Sequence, residues 1–187
     1  SLGNMYRNGR GVTQDVVEAA EWFGMAAIQG HVEAQFTLGR LYSFSNEMRE
    51  GIENDSGKPI TNFMPEDYSE AAKWYRMAAE QGHAKSSAEL GSLYTSGRGV
   101  PEDRVEGTKW LRMAAELGDP FSQALLGMTY AIGRDLPQDH VLAYMWLNIA
   151  IGQGEADFVE FRDEVAGKMT AEQLFEAQRL TREWKPK

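Results

Sequence analysis

Hydrophobic residues recur along this chain at intervals of three and four positions, in short segments separated by glycine-rich and acidic stretches. That spacing is typical of amphipathic α-helices. Four of the segments contain a tryptophan that is followed by an alanine four residues later and by a glycine eight residues later. These tryptophans are Trp22, Trp74, Trp110 and Trp146. The pattern predicts four helices that each end at a glycine.

The segments before the tryptophans repeat as well. Each contains a Leu–Gly pair and a tyrosine four residues after the leucine; the leucines are Leu2, Leu38, Leu90 and Leu126. The tryptophans are 36 residues apart, except that the first two are 52 apart. Self-similarity at a fixed period indicates stacked units that are each too small to bury their own apolar face. We therefore predict an all-α array of two-helix units, in which helix A carries the Leu–Gly pair and helix B carries the tryptophan.

Polar residues mark the ends of the predicted helices. An aspartate precedes helix B in three units and is followed three residues later by a glutamate, which is the spacing of a capping box. Thr170 and Gln173 have the same spacing, and Asp119 with Pro120 suits the start of another helix. The closing glycine suits a left-handed backbone conformation. The capping pairs are Asp15/Glu18, Asp67/Glu70 and Asp103/Glu106, and the closing glycines are Gly30, Gly82, Gly118 and Gly154.

Small residues inside the helices predict close packing. A glycine in a helix interior costs about 1 kcal/mol relative to alanine. The glycines of the Leu–Gly pairs, Gly39, Gly91 and Gly127, therefore indicate that helix B approaches closely, with its Ala–Ala pairs as the expected contact. A methionine three residues after the tryptophan, as in Met25, Met77 and Met113, is expected to fill the core.

One segment closely resembles a known repeat. Residues 90–118, LGSLYTSGRGVPEDRVEGTKWLRMAAELG, are similar to the Sel1-like repeat, a relative of the tetratricopeptide repeat, at Leu-Gly, Tyr, Gly-x-Gly-Val, Asp, Trp, Ala-Ala and the closing Gly. The last repeat departs from this pattern at two places. Its segment 133–135 lacks the second glycine of Gly-x-Gly, and Ala150 stands alone where the other repeats have an Ala–Ala pair. The resemblance implies a bacterial protein whose hairpins stack into a right-handed α/α superhelix. It implies a partial repeat at 1–30, repeats at 31–82, 83–118 and 119–154, and a capping helix pair at 155–187.

The second repeat contains a longer loop. Tyr42 and Asp67 are 25 residues apart, whereas the equivalent residues are nine apart in the other units, so 16 residues are inserted between the two helices. Closing the longer loop costs only about 0.8 kcal/mol on logarithmic scaling. Two interpretations stay open for its apolar residues. They fold back onto the array as a plug, or they form an interaction flap beside a groove.

Composition restricts the classes of function. A net charge of -9 argues against a nucleic-acid or anionic-membrane surface, since both need clustered Lys and Arg. No run approaches the roughly 18 apolar residues that a membrane helix needs. The absence of cysteine removes disulfides and thiolate chemistry and is compatible with the cytosol and the periplasm alike. Because the sequence opens inside a repeat, we expect further residues to precede it.

The chain lacks the patterns that indicate catalysis, a cofactor or a metal. His31 and His83 occupy the same repeat position, which places them about one unit apart and too far to share a metal ion. The Gly-x-Gly segments follow helices rather than strands and lack the Lys-Ser/Thr of a nucleotide-binding loop. Some cysteine-rich relatives have been linked to penicillin binding and hydrolysis, so a hydrolase of that type is the alternative function. This chain has neither cysteine nor a Ser-x-x-Lys motif, and we predict that it is not an enzyme.

By analogy with tetratricopeptide arrays, variable positions of helix A line a concave groove. The resemblance therefore implies an adaptor or scaffold that binds another protein or a peptide, with a purely architectural spacer as a further possibility. The groove would change from arginine-bearing to apolar, which suits a partner with an acidic stretch followed by an apolar anchor. The recurring loop arginines Arg10, Arg98 and Arg134 are either a second binding edge or solvated turn residues. The predicted groove residues are Asn4, Arg7, Glu33, Phe36, Arg40, Ser43, Lys85, Ser92, Thr95, Phe121 and Met128.

Overall fold

The computed structural model describes residues 1–13, 15–43 and 67–187, and every regular element in these ranges is helical. The prediction of an all-α fold is confirmed. The loop 44–66, which contains the 16-residue insertion, lies outside the described ranges. Both interpretations of its apolar residues concern that loop and therefore stay predictions. The helices are α1 (Leu2–Asn8), α2 (Val16–Ile28), α3 (Val32–Ser43), α4 (Tyr68–Ala79), α5 (Ala84–Ser96), α6 (Arg104–Glu116), α7 (Pro120–Ile132), α8 (His140–Gly152), a short 3₁₀ helix (Ala156–Phe158), α9 (Val159–Ala166) and α10 (Ala171–Glu183).

The helices form two compact units. The N-terminal unit comprises residues 1–81 with the loop 97–101 and contains α1 to α4. The C-terminal unit comprises residues 82–96 and 102–187 and contains α5 to α10. In both units each helix A packs against the helix B that follows it, in the pairs α1/α2, α3/α4, α5/α6 and α7/α8.

The predicted aspartate caps are confirmed, but the predicted return bond from the glutamate is wrong, because the N-cap amide donates to a tyrosine carbonyl of the preceding helix A in all three cases. The carboxylates of Asp15, Asp67 and Asp103 accept hydrogen bonds from backbone N–H groups in the first turns of α2, α4 and α6, at 2.9 to 3.1 Å. Thr170 and Gln173 form a complete capping box at the start of α10. These bonds satisfy amides that have no partner inside the helix. The glutamates of the three aspartate pairs accept from side chains one turn further on, with Trp22 donating to Glu18, Lys73 to Glu70 and Lys109 to Glu106.

The glycines that close helix B have the predicted left-handed conformation. Their φ angles are 88° at Gly30, 84° at Gly82, 97° at Gly118 and 115° at Gly154. In three of these turns the amide after the glycine donates to the carbonyl of the alanine four residues after the tryptophan, at 3.0 to 3.2 Å. That bond satisfies a carbonyl at the helix end. The repeated spacing of Trp, Ala and Gly therefore encodes one helix-ending turn.

The glycines of helix A lie where helix B approaches closely, as predicted. A methyl group added to Gly39 would lie 2.5 Å from the ring of Tyr75, and one added to Gly91 would lie 2.9 Å from the carbonyl oxygen of Gly107. The expected partner was wrong, because the contacts involve residues that lie one or two turns before the Ala–Ala pairs. The sequence signal for this contact is the residue directly after the tryptophan. In two of the repeats this residue, Tyr75 or Leu147, is buried.

The methionines that were expected in the core are on the surface, so that prediction was wrong. A residue three positions after the tryptophan is rotated by about 200° from the buried residue one position after it, because each helical residue turns by about 100°. It therefore faces away from helix A. Met25, Met77 and Met113 are exposed by 48%, 40% and 40%.

Buried glutamines connect successive hairpins within each unit. In the N-terminal unit the Gln35 side chain donates to the carbonyl oxygen of Ala27 at 3.0 Å and accepts from Gln81 at 2.7 Å. One side chain of α3 thus bonds to the C-terminal ends of α2 and α4. The C-terminal unit repeats the arrangement around Gln123, which donates to Ala115 at 3.1 Å and accepts from Gln153 at 2.7 Å.

The third repeat replaces this glutamine pair. Ser87 occupies the position equivalent to Gln123, and Leu117 occupies the position equivalent to Gln153. The Ser87 hydroxyl donates locally to the carbonyl of His83 at 3.3 Å, so it needs no partner from the next helix B. The two positions therefore change together, and each combination leaves the buried polar group bonded.

The C-terminal helices pack onto the last repeat. Ala177 of α10 is fully buried, and Leu174 and Trp184 pack against the same core. The Trp184 ring meets the Trp146 ring edge-on at 5.9 Å. One face of the last helix therefore covers the core of the last repeat.

Candidate functional site

An open depression of about 720 Å³ lies between α1, α2 and α3 of the N-terminal unit. The Leu–Gly pair brings α1 close to α2, while α3 supplies the opposite wall. The side chains of the two walls do not fill the space between them. Five of the predicted groove residues line this depression: Asn4, Arg7, Glu33, Phe36 and Arg40.

Two arginines in this depression lie over aromatic rings. The guanidinium carbon of Arg7 is 6.0 Å from the centre of the Phe23 ring, and that of Arg40 is 5.9 Å from the centre of the Phe36 ring. Such contacts attract a cation to the ring face and restrict its rotamers. With Glu33 as the third charged residue of the lining, the depression has a formal charge of +1 in a chain whose net charge is -9. It is a locally basic and aromatic surface.

The C-terminal unit has a second depression of about 480 Å³ between α5, α6 and α7. Three predicted groove residues, Ser92, Thr95 and Met128, line it together with the loop residue Arg134. The close crossing of α5 and α6 at Gly91 and Gly107 forms its floor. This depression is lined by hydroxyl and aliphatic side chains.

Three predicted groove residues lie outside the lining of both depressions. The Ser43 hydroxyl bonds to the Tyr75 hydroxyl at 2.9 Å. Lys85 is exposed on α5. Phe121, at the predicted apolar end of the groove, meets the Phe158 ring edge-on at 6.3 Å and remains 54% exposed. The contact with Phe158 could not be predicted from the repeat, because Phe158 follows the last repeat.

The loop arginines have different surroundings. Arg98 lies over the Tyr68 ring at 5.1 Å and donates to its hydroxyl at 3.3 Å, so it fastens its own loop to α4 within the N-terminal unit. Arg134 lines the second depression, and Arg10 is exposed. The environment of Arg98 favours the interpretation as a turn residue, and that of Arg134 favours a role in binding.

The loop that lacks the second glycine has a compensating contact. Gly99, with φ 68°, is so close to α4 that an added methyl group would overlap the carbonyl of Tyr68. One repeat later, Asp135 stands in place of Gly99 and Arg104 in place of Tyr68. Arg104 donates two hydrogen bonds of 3.0 Å to the Asp135 carboxylate. A bidentate ion pair thus joins this loop to α6. In the preceding repeat, the close contact of Gly99 with Tyr68 joins the loop to α4.

This ion pair makes stability depend on pH. The hydrogen bonds from Arg104 hold the pKa of Asp135 below its ordinary value of 3.8. A lowered carboxyl pKa stabilises the folded chain above the ordinary value, and that contribution is lost as the pH falls through the lowered value. We expect Asp135→Asn to melt at a lower temperature than the wild type at neutral pH, with the difference shrinking as the pH falls below the ordinary value of 3.8.

Thermal unfolding followed by circular dichroism across this pH range tests the prediction. Asp157→Asn is the matched control, because Asp157 is an exposed carboxylate on the 3₁₀ helix. The control should melt like the wild type throughout. A loss in Asp135→Asn that is equally large at acid and neutral pH would show that the ion pair is not its cause.

His83 caps the start of its helix, and His31 lines the first depression. His83 Nδ1 lies 2.8 Å from the Ser86 hydroxyl and 3.2 Å from the Ser86 amide, at the start of α5. Within the described ranges, no three His, Asp or Glu side chains are grouped so that they could hold a metal ion. None of the helices described here is both long enough and apolar enough to cross a bilayer.

Comparison with known sequences identifies related repeats. The model of a family described as Sel1 repeat matches residues 1–31, 59–83, 84–119 and 120–155. A protein described as a putative Sel1-like repeat-containing protein of Acanthamoeba polyphaga mimivirus is 33% identical in an alignment of length 114 that covers 54% of this chain and 21% of that protein. The matched part therefore spans about a fifth of the viral relative.

Two solved structures share the fold. A Sel1 repeat protein from Oxalobacter formigenes superposes with a TM-score of 0.72 and 28% identity, over all of this chain and 72% of the other. The protein c5321, a protective antigen present in uropathogenic Escherichia coli strains and displaying an SLR fold, gives a TM-score of 0.62 and 25% identity, over 98% of this chain and 44% of the other. Both neighbours are bacterial.

Proposed function

Because this chain belongs to the Sel1 repeat family, whose members are generally scaffolds for protein interaction, we propose that it binds a segment of another protein through its helix-A side chains and carries out no chemistry. In this proposal the two depressions are the binding sites. Each takes side chains of an extended or helical segment of the partner.

The observation that carries the proposal is the position of the variable helix-A residues. Eight of the eleven predicted groove residues line the depressions, five in the N-terminal unit and three in the C-terminal unit. Both depressions are open and combine apolar walls with a few polar groups, which is the usual character of a recognition surface. The outer face of helix B, by contrast, exposes methionines at intervals along the repeats.

The chemistry of the first depression favours an acidic partner segment. Arg7 and Arg40 are positioned by the Phe23 and Phe36 rings, so less side-chain freedom is lost when they meet a carboxylate. The rings also offer apolar area to a neighbouring side chain of the partner. A peptide with Asp or Glu next to an apolar residue therefore complements this surface.

The alternative functions make different demands. A hydrolase of the penicillin-binding type has no observation in its favour, because the chain contains neither cysteine nor the Ser-x-x-Lys motif. A purely architectural spacer would need no ligand in either depression. Selection of peptides from a random library displayed on phage, with the chain immobilised, distinguishes the proposed binding function from a purely architectural spacer. We expect enriched peptides that contain Asp or Glu beside an apolar residue.

Reversing the charge of Arg40 should weaken the binding of such peptides. We expect Arg40→Glu to raise the Kd of the selected acidic peptides at least about tenfold, since a charge-assisted hydrogen bond contributes about 1.5–3 kcal/mol. Fluorescence anisotropy of labelled peptides measures the change. Arg182→Glu, on the exposed surface of α10, is the control with the same change of charge and should bind like the wild type.

The outcomes separate the interpretations. An unchanged Kd in a normally folded Arg40→Glu variant would remove the first depression from the binding surface. If the selection enriches no peptide at all, the binding proposal fails and the architectural interpretation takes its place.

A further inference from the structure

Four of the five hydroxyl groups that line the second depression share one hydrogen-bonding pattern; the fifth belongs to the exposed Ser92. Each of the four donates its proton to the carbonyl oxygen four residues earlier in its own helix, at 2.8 Å in every case. A Ser or Thr hydroxyl has a single proton but two acceptor lone pairs. These four oxygens can therefore still accept a hydrogen bond. The four residues, from three helices, are Thr95 and Ser96 of α5, Thr108 of α6 and Thr129 of α7.

The charged residues of this depression lie together on one side. The Asp135 carboxylate accepts both of its bonds from Arg104, and Arg134 is the neighbouring exposed cation. These three residues have a formal charge of +1. The lining thus has hydrogen-bond acceptors on its helices and hydrogen-bond donors on its loop.

The apolar part of the lining completes the surface. Leu111, Leu125, Met128 and Ile132 line the same depression, and Ile132 is 58% exposed. An aliphatic side chain of a ligand would remove this area from water, which contributes about 25 cal/mol per Å². The site is therefore suited to a ligand that has aliphatic groups beside its polar group.

We propose that the second depression binds an Asn or Gln side chain of a peptide, with an aliphatic residue beside it. A carboxamide donates through its nitrogen to the hydroxyl oxygens and accepts through its oxygen from Arg134, so it matches both sides of the lining. A carboxylate has no proton to donate to these four oxygens, and an ammonium group is disfavoured by the formal charge of +1 that Arg104, Arg134 and Asp135 have together. The inference rests on the proposed function, because it assigns one ligand class to one of the two binding sites.

Four peptides that differ at one position test the assignment directly. Their sequence is acetyl-Ser-Gly-Leu-Xaa-Leu-Gly-Ser-amide, with Gln, Glu, Lys or Met at Xaa. Met has nearly the shape of Gln but lacks its polar hydrogen-bonding groups, and the backbone is common to all four. Each peptide is titrated into the whole wild-type chain labelled with ¹³C at the methionine methyl groups, and the Met128 resonance reports on the depression.

We expect the Gln peptide to shift the Met128 resonance and to bind about tenfold more tightly than the other three, since it forms about two additional hydrogen bonds. The exposed methionines of helix B, Met25, Met77 and Met113, should not respond. Equal affinity of the Met or Glu peptide would overturn the assignment. So would a response of the helix-B methionines without one from Met128.

Replacing the acceptor oxygens gives a second test. Thr95→Val and Thr129→Val remove one hydroxyl each at nearly constant volume, and we expect each to weaken the Gln peptide about fivefold. Thr181→Val is the matched control, because the Thr181 hydroxyl makes the same bond four residues back, at 2.9 Å to Ala177, on α10. Full affinity in both depression variants would contradict the proposal.

Failure of this inference can be distinguished from failure of the proposed function. If none of the four peptides shifts Met128 while peptides selected from the library still bind in an Arg40-dependent manner, only the carboxamide assignment fails. If the selection also returns nothing, the proposed function fails with it.

Discussion

Gln123→Ala is expected to lower the free energy of unfolding by about 3 kcal/mol. The Gln123 side chain is fully buried, donates to the carbonyl of Ala115 and accepts from Gln153. Its removal leaves a cavity and takes one hydrogen-bond partner from each neighbour. Because those neighbours end the helices on either side of α7, the loss affects the whole junction between two hairpins.

Chemical denaturation of this variant and of a compensating double variant tests this expectation. The double substitution Gln123→Ser with Gln153→Leu reproduces the combination found at Ser87 and Leu117, and it should recover more than half of the loss. Gln138→Ala is the control, because the Gln138 side chain also donates to a backbone carbonyl, at 2.8 Å, but is exposed. A loss in Gln123→Ala no larger than in that control would refute the role given to the buried pair.

Gly99→Ala is expected to destabilise the chain by about 3 kcal/mol, for two reasons that can be separated. The φ angle of 68° penalises any residue with a side chain, and the added methyl group would also overlap the backbone of Tyr68. The loop would have to move away from α4 and lose the contact of Arg98 with the Tyr68 ring.

Two other glycines are matched controls for this substitution. Gly30 has φ 88° but open space around the position of a methyl group, so Gly30→Ala should cost only about 1 kcal/mol. Gly24 lies in the interior of α2, also with open space, and Gly24→Ala should stabilise by about 0.5–1 kcal/mol. If Gly99→Ala costs no more than Gly30→Ala, the close contact between the loop and α4 does not contribute to stability.

The helices and their ends could be predicted from the sequence because they depend on residues close together in the chain. Asp103 needs only the amides of the next three residues, and Gly118 needs only its own φ angle. The repeat then supplied the order of helices A and B, since one period of 36 residues applied to Trp74, Trp110 and Trp146 alike.

Contacts between residues far apart in the sequence were predicted less well. Gln35 and Gln81 are 46 positions apart, and the pairing becomes visible only when the third repeat is seen to lose both glutamines together. The loss of the second glycine at Asp135, the position equivalent to Gly99, is visible in the sequence. The matching change from Tyr68 to Arg104 is recognised only once the contact between the two positions is known. In both cases the signal was a correlated change at two repeat positions.

The candidate sites were predicted in part. The helix-A positions that line the depressions follow from the repeat, but the depth of the depressions depends on which side chains pack elsewhere. Phe121 has the spacing of a groove residue, lies outside the lining of both depressions and meets the Phe158 ring. Likewise, the hydroxyl groups of Thr95 and Thr129 are ordinary polar positions in the sequence, and only the hydrogen-bond geometry shows that their oxygens are left as acceptors.

Hydroxyl-radical footprinting of the whole chain, with and without a peptide selected from the library, tests most directly whether helix A binds the partner. The account predicts that oxidation of Phe36 or Met128 falls when the peptide is bound, because these side chains line the depressions. It also predicts that Met25, Met77 and Met113, exposed on the outer face of helix B, are oxidised as before. Protection of those three methionines, with Phe36 and Met128 unchanged, would contradict it and place the binding surface on helix B.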